Sequence, residues 1–205
     1  QIEAVTYRNG PLLVLAGAGS GKTKVLTTRI AYLISQGINP DNILAITFTN
    51  KAAGEMKSRI GSLIGYYSRS MQISTFHSFG LRLIRENYEY LGYDKNFVIF
   101  DSDDSLTIVK KIIKEMNLDK DKFNPKAIRS KISSLKNDLV EPESYKKYVA
   151  TDFDEVVYEV YKKYEDSLYS NNSLDFDDLL VLPIKLFTKR RDILESYQEK
   201  FKYIL

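Results

Sequence analysis

At 205 residues the chain is long enough for one α/β core, or for such a core with a smaller domain inserted into it. Hydrophobic residues make up 43% and charged residues 28%, the balance of a soluble globular protein. No apolar run approaches the ~18 to 20 residues of a membrane span, and the N-terminus lacks a basic-then-apolar signal pattern, so a cytoplasmic location is expected. With no cysteine, disulfides and thiolate zinc sites are ruled out, and the single histidine, His77, cannot build a metal site alone. The net charge of +3 is unevenly spread: residues 105–148 hold eleven Lys or Arg against six Asp or Glu, and residues 149–173 hold two against six. The first stretch is open to two readings, a basic face for a polyanion or a solvated helix surface.

Short apolar runs alternating with helical patterns point to a parallel sheet with crossover helices. The predicted strands are residues 12–16, 43–48, 71–76 and 97–100. Between the first two, Leu26, Ile30, Leu33 and Ile34 recur at helical spacing, and Gly37 with Pro40 supplies a stop. After the second, Ala53, Met56, Ile60, Leu63 and Ile64 form an amphipathic helix with Asn50 as the expected N-cap. Leu83, Ile84, Tyr88 and Leu91 repeat the pattern after the third.

From about residue 103 the strands disappear, which marks an inserted helical subdomain over residues 103–172 between the two parts of an α/β domain, 1–102 and 173–205. Val109, Ile112, Ile113 and Met116 make one stripe, and Ile128, Ile132 and Leu135 make the next, starting at Asn124 and Pro125. Val157, Val160, Tyr161, Tyr164 and Leu168 line a longer helix. At that spacing its tyrosines fit a core, with base stacking as the competing reading. Leu179, Leu182, Leu186, Ile193, Leu194 and Tyr197 then return to helices, with a kink or break expected at Pro183. Tyr203, Ile204 and Leu205 read as the start of a further strand.

The run Ala16-Gly17-Ala18-Gly19-Ser20-Gly21-Lys22-Thr23 lies between a predicted strand and a predicted helix, which is the context a phosphate-binding loop requires. Glycines permit backbone torsions that turn successive N–H groups inward, toward phosphate oxygens at the helix N-terminus. Lys22 would neutralise the β and γ phosphates of a nucleotide, and the Thr23 hydroxyl would ligate Mg²⁺. Ala16 stands where the strict pattern has glycine, leaving three glycines for the flexible positions. Kinases, GTPases, transporters and motor ATPases all use such a loop.

The segments after the next two strands discriminate among these. Thr47-Phe48-Thr49-Asn50-Lys51-Ala52-Ala53-Gly54-Glu55-Met56 and Ser74-Thr75-Phe76-His77-Ser78-Phe79 closely resemble the corresponding motifs of superfamily 1 DNA helicases of the UvrD, PcrA and Rep type. Gln1 with Glu3-Ala4-Val5 resembles the end of that family's adenine-reading Q motif. Ser173-Leu174-Asp175-Phe176-Asp177-Asp178-Leu179-Leu180 resembles the segment that re-enters the motor domain after its helical insertion. The likeness runs the whole length.

The resemblance implies a RecA-like parallel sheet with helices on both faces. It also implies the ATP-binding part of a helicase that moves 3′ to 5′ on single-stranded DNA and unwinds duplex, in repair or replication. ATP and Mg²⁺ would be its cofactors. Thr47, Phe48, Thr49, Asn50, Thr75, Phe76, His77 and Ser78 would hold the single strand, with Phe48 stacking on a base. Bottom-up, these residues leave the C-terminal ends of strands, where ligands of parallel sheets sit, and hydroxyls there can hold phosphates without reading sequence. Phe48 also fits a core position closing its strand, and His77 a helix start. The family's acidic pair, an Asp for Mg²⁺ and a Glu that activates water, is expected just past Leu205, and its γ-phosphate arginines in later segments. The second RecA-like domain would therefore be required for hydrolysis, and the 205 residues alone are expected to turn over little. The helical insertion would meet the duplex junction through Lys110, Lys111 and Lys114. A helicase–nuclease subunit and a nucleotide-gated binding module are the alternatives. Asp175, Asp177 and Asp178 read as caps of a helix beginning near Phe176, or as a metal cluster.

Overall fold

The computed structural model describes residues 1–7, 10–65 and 70–205. They form two compact units, one of Gln1–Phe79 with Arg190–Leu205 and one of Gly80–Lys189. The composition shifts at 102/103 and 172/173 mark where element type changes; the two units divide at 79/80, within the helix that spans residues 76–86, and at 189/190.

The first unit is α/β. After α1 (Ile2–Thr6), α2 spans Lys22–Ser35, β1 Ile43–Thr47, α3 Asn50–Ile64, and β2 Gln72–Thr75. The helix α4 (Phe76–Glu86) starts directly on β2. The unit closes with Arg191–Lys200 (α11) and Tyr203–Ile204 (β5); the intervening labels belong to the second unit. The sheet has the order β2-β1-β5, all parallel, with Leu44 opposite Gln72 and Ile204. Ile30, Leu33, Ile43, Ala45, Met56, Ile60 and Met71 form its buried core, which is the stripe the helical spacing of α2 and α3 predicts.

Residues 12–16 do not form the expected strand. Leu13 and Leu15 are 83% and 87% exposed. An apolar run becomes a strand only by completing a ladder, and residues 12–16 pair with none of β1, β2 and β5. Thr49, rather than Asn50, caps α3: it has extended backbone and its hydroxyl accepts from the Ala52 N–H at 3.1 Å, while Asn50 is already helical.

The second unit is mostly helical. It contains α5 (Tyr88–Leu91), β3 (Val98–Ile99), α6 (Ser102–Glu115), α7 (Pro125–Asn137), α8 (Pro142–Tyr145), α9 (Asp152–Ser170), β4 (Ser173–Leu174) and α10 (Asp178–Lys189). Helices α6, α7 and α9 bury Val109, Ile112, Ile128, Ile132, Val157, Val160, Tyr161 and Tyr164 together, so those tyrosines are core. Asn124 caps α7 by accepting from the N–H groups of Lys126 and Ala127, with Pro125 in the first turn. The strands β3 and β4 pair in parallel beside a small core of Ile84, Leu174, Leu179 and Leu182. Pro183 sits inside α10 without ending it, and α10 begins at Asp178, two residues later than expected.

No helix among the described residues is long and apolar enough to cross a membrane.

Candidate nucleotide and nucleic-acid site

Gly21, with φ 85°, is the N-cap of α2, and Gly19 has φ 73°. Both angles are open to glycine at no steric cost. The two turns bring the loop back on itself: the Ser20 hydroxyl donates to the Gly17 carbonyl at 2.7 Å, and the Lys22 ammonium donates to the carbonyls of Gly17 at 2.7 Å and Ala16 at 3.1 Å. Lys22 and Thr23 open α2 and are exposed, where the first-turn N–H groups of a helix have no intrahelical partner and favour anions. Gln1 closes the other side, its side-chain amide donating to the Ser20 carbonyl at 3.0 Å. The loop is therefore held by the start of α2 and by Gln1.

A second set of side chains lies at the C-terminal ends of β1 and β2. The parallel register sets Thr47 opposite Thr75, so the segments that follow leave the sheet on the same edge. Phe48 is 87% exposed and Phe76 47% exposed, and their rings stand 5.8 Å apart at 50°. The two neighbouring rings form an exposed aromatic patch at the ends of β1 and β2. Around them the Thr75 hydroxyl donates to the Ser78 hydroxyl at 2.9 Å and accepts from the Ser78 N–H at 3.1 Å, while the Ser78 hydroxyl lies 3.5 Å from the Asn50 side-chain oxygen. Thr49 caps α3 and His77 is half-buried in the first turn of α4. The structure thus gathers Thr47, Phe48, Thr49, Asn50, Thr75, Phe76, His77 and Ser78 at one edge, and gathers Gln1 with residues 16–23 at the loop.

Arg29 has no counterpart among the residues singled out by local pattern. It lies in α2, 8% exposed, and its guanidinium donates to the carbonyls of Ala4 at 3.0 Å, Val5 at 3.3 Å and Tyr7. Within a stripe of apolar residues, an arginine at that spacing reads as a surface position.

Equally unannounced is a buried charge cluster in the second unit. Lys136, 3% exposed, faces Asp178 at 2.7 Å, Asp175 at 2.8 Å and Glu165 at 3.0 Å. Burial alone would pull its ammonium down, but Asp178, Glu165 and Asp175 outweigh that and hold it well above the usual lysine range. Asp178, pushed up by burial and by the facing Asp175 and Glu165 charges against the pull of Lys136, reaches about 7. Burial acts on Asp175 too, but Lys136, the Asp178 N–H and the Tyr164 hydroxyl hold it below the usual carboxylate range. The two aspartates also accept each other's backbone N–H, at 2.9 and 3.0 Å, so they do cap the start of α10. Asp177 accepts from the Asn137 side-chain amide at 3.0 Å. Among the described residues no group of acidic or histidine side chains is arranged to hold a metal.

A glycine loop turning into a lysine-led helix, beside a parallel sheet, defines the class of P-loop nucleotide-binding α/β proteins. A family model described as the UvrD/REP helicase N-terminal domain matches residues 1–205. Three relatives are each named ATP-dependent DNA helicase PcrA. That of Bacillus subtilis (strain 168) is 52% identical over 205 residues, that of Staphylococcus epidermidis 46% identical over 205, and that of Leuconostoc citreum 46% identical over 206. All of this chain is covered in each case, and it spans 28% of each relative's length. The chain belongs to the UvrD/REP helicase N-terminal domain family.

Proposed function

We propose that this chain is the ATP-binding, single-strand-gripping part of an ATP-dependent DNA helicase that translocates 3′ to 5′. The observation that carries the reading is the exposed Phe48 and Phe76 pair at the shared edge of β1 and β2, in a domain that also carries a phosphate loop. Base stacking on an exposed ring tolerates any sequence, and the surrounding hydroxyls of Thr47, Thr49 and Ser78, the last oriented by the buried Thr75, suit phosphates, so the grip follows the strand without reading it.

At the loop, Lys22 would leave the carbonyls of Ala16 and Gly17 for the β and γ phosphates, the first-turn N–H groups of α2 would hold phosphate oxygens, and Gln1 would meet the adenine edge. The exposed Thr23 hydroxyl, an oxygen donor beside that position, fits the hard-cation chemistry of Mg²⁺. Bound with ATP, that ion would draw off charge building on the phosphate oxygens. Residues 1–102 and 173–205 then make up the RecA-like domain, with 103–172 as an accessory insertion. There Lys110, Lys111 and Lys114 lie on the exposed side of α6, opposite Val109, Ile112 and Ile113, and offer a surface to duplex phosphates. Hydrolysis belongs to the full-length protein, whose remainder supplies the second RecA-like domain.

The test is ATP hydrolysis by the full-length protein with and without single-stranded DNA, with Lys22→Ala as control. Strong stimulation by DNA that the variant loses is expected; hydrolysis indifferent to DNA would overturn the reading.

A further inference from the structure

Helix α1 carries Gln1 at its start, yet none of its five residues is buried. Burial of apolar surface therefore contributes little to holding it on the domain. What holds it is polar. At one end Gln1 reaches the Ser20 carbonyl at 3.0 Å. At the other, Arg29 donates to the carbonyls of Ala4, Val5 and Tyr7, which lie in and just past the last turn of α1, where helix carbonyls lack intrahelical partners.

Arg29 is an expensive way to fill that space. Its charge is 8% exposed, and among the described residues no carboxylate forms an ion pair with it. Methionine or leucine would pack against α1 without the desolvation cost of a charge. All three contacts come from one terminal nitrogen of the guanidinium, which gathers the carbonyls at the end of α1 around a single cationic donor. Arg29 also lies two turns along α2 from Lys22. One rigid helix thus carries the lysine at the phosphate loop and the arginine that fixes the segment bearing Gln1.

We infer that Arg29 is a positioning residue for nucleotide recognition: by clamping the last turn of α1 it sets Gln1 against the phosphate loop, and so sets the preference for adenine over other bases. This rests on the reading of Gln1 as the adenine-contacting side chain. Arg29 touches neither base nor phosphate in this scheme. Its loss weakens the base contact and leaves the triphosphate contact in place.

The experiment compares wild type, Arg29→Met, Gln1→Ala and the double variant in the full-length protein. It measures kcat and KM for ATP and GTP with saturating single-stranded DNA, and inhibition by inorganic tripolyphosphate. For Arg29→Met, the ratio of kcat/KM for ATP to that for GTP falls on the order of tenfold, the equivalent of one or two neutral hydrogen bonds. The fall lies in KM for ATP, with kcat and tripolyphosphate inhibition retained. The double variant is no worse than Gln1→Ala alone, because both changes remove one contact. If Gln1→Ala leaves the ratio unchanged, the adenine reading fails and the inference with it. If Gln1→Ala lowers the ratio but Arg29→Met does not, the inference alone is overturned. Loss of tripolyphosphate inhibition or of kcat in Arg29→Met would make Arg29 a structural support of the loop, and would also overturn it.

Discussion

Replacing Lys136 with methionine removes the ammonium from its three carboxylates while keeping a side chain of similar length, so little of the effect comes from a cavity. At separations of 2.7, 2.8 and 3.0 Å, each attraction is about 6 kcal/mol at an effective dielectric constant near 20, and the desolvation of the ions offsets much of the sum. The variant keeps the desolvated carboxylates and loses the attraction, which places the loss near ~3 to 5 kcal/mol. The size depends on pH. Asp178, raised to about 7, stabilises the fold fully below its unfolded value near ~3.9, and that contribution is lost as pH rises through about 7. Asp175, depressed in the wild type, acts the other way: its contribution is present above the ordinary carboxylate range and lost as pH falls. Without Lys136 only the Asp178 N–H and the Tyr164 hydroxyl still favour the Asp175 carboxylate, and Asp178 rises further, so both shift toward protonation. The loss is therefore larger at pH 8 than at pH 5. Urea denaturation followed by far-ultraviolet circular dichroism reads it: with slopes of ~1 to 3 kcal/mol per molar, the midpoint drops by at least about 1 M at pH 8. A loss under ~1 kcal/mol at pH 8, or an equal loss at the two pH values, would refute the account of the cluster as one buried cation balancing several carboxylates.

Phe48→Ala should weaken single-strand binding by the full-length protein by ~1 to 3 kcal/mol in fluorescence anisotropy. Because the ring is 87% exposed, the unfolding free energy from urea denaturation should be unchanged within ~0.5 kcal/mol; a stability loss with intact binding would return Phe48 to a packing role. Asn124→Ala removes the side chain that accepts from the Lys126 and Ala127 N–H groups. It should cost ~1 kcal/mol in the same denaturation assay, with Asn124→Asp nearly neutral.

Local patterns were legible wherever a residue's role depends on near neighbours in the chain. The stripes Ile30 with Leu33, Val109 with Ile112, and Tyr161 with Tyr164 are buried as their spacing requires, because one face of a helix collects residues three and four apart. The Asn124 and Pro125 start of α7 follows the same logic, as does the turn of residues 16–23 into α2, where two of the three glycines take positive φ.

The tertiary structure decided what depends on distant partners. Residues 12–16 have the composition of a strand and are not one, since a strand exists only as part of a ladder and these residues pair with none of β1, β2 and β5. Thr49 displaced Asn50 as the cap of α3 because the exit from β1 leaves Thr49, and not its neighbour, in extended backbone. The alignment of Thr47 with Thr75 comes from the register of two parallel strands. Arg29 and Lys136 had no local signature at all. Their partners lie 22 to 25 residues away for Arg29 and 29 to 42 for Lys136, and a buried charge is tolerated only where the whole fold brings acceptors to it. Sequence by itself determined which residue types the loop and strand-end segments present and the family they match. Only the folded chain determined what holds them in place, because that depends on groups meeting in space after the chain has closed on itself.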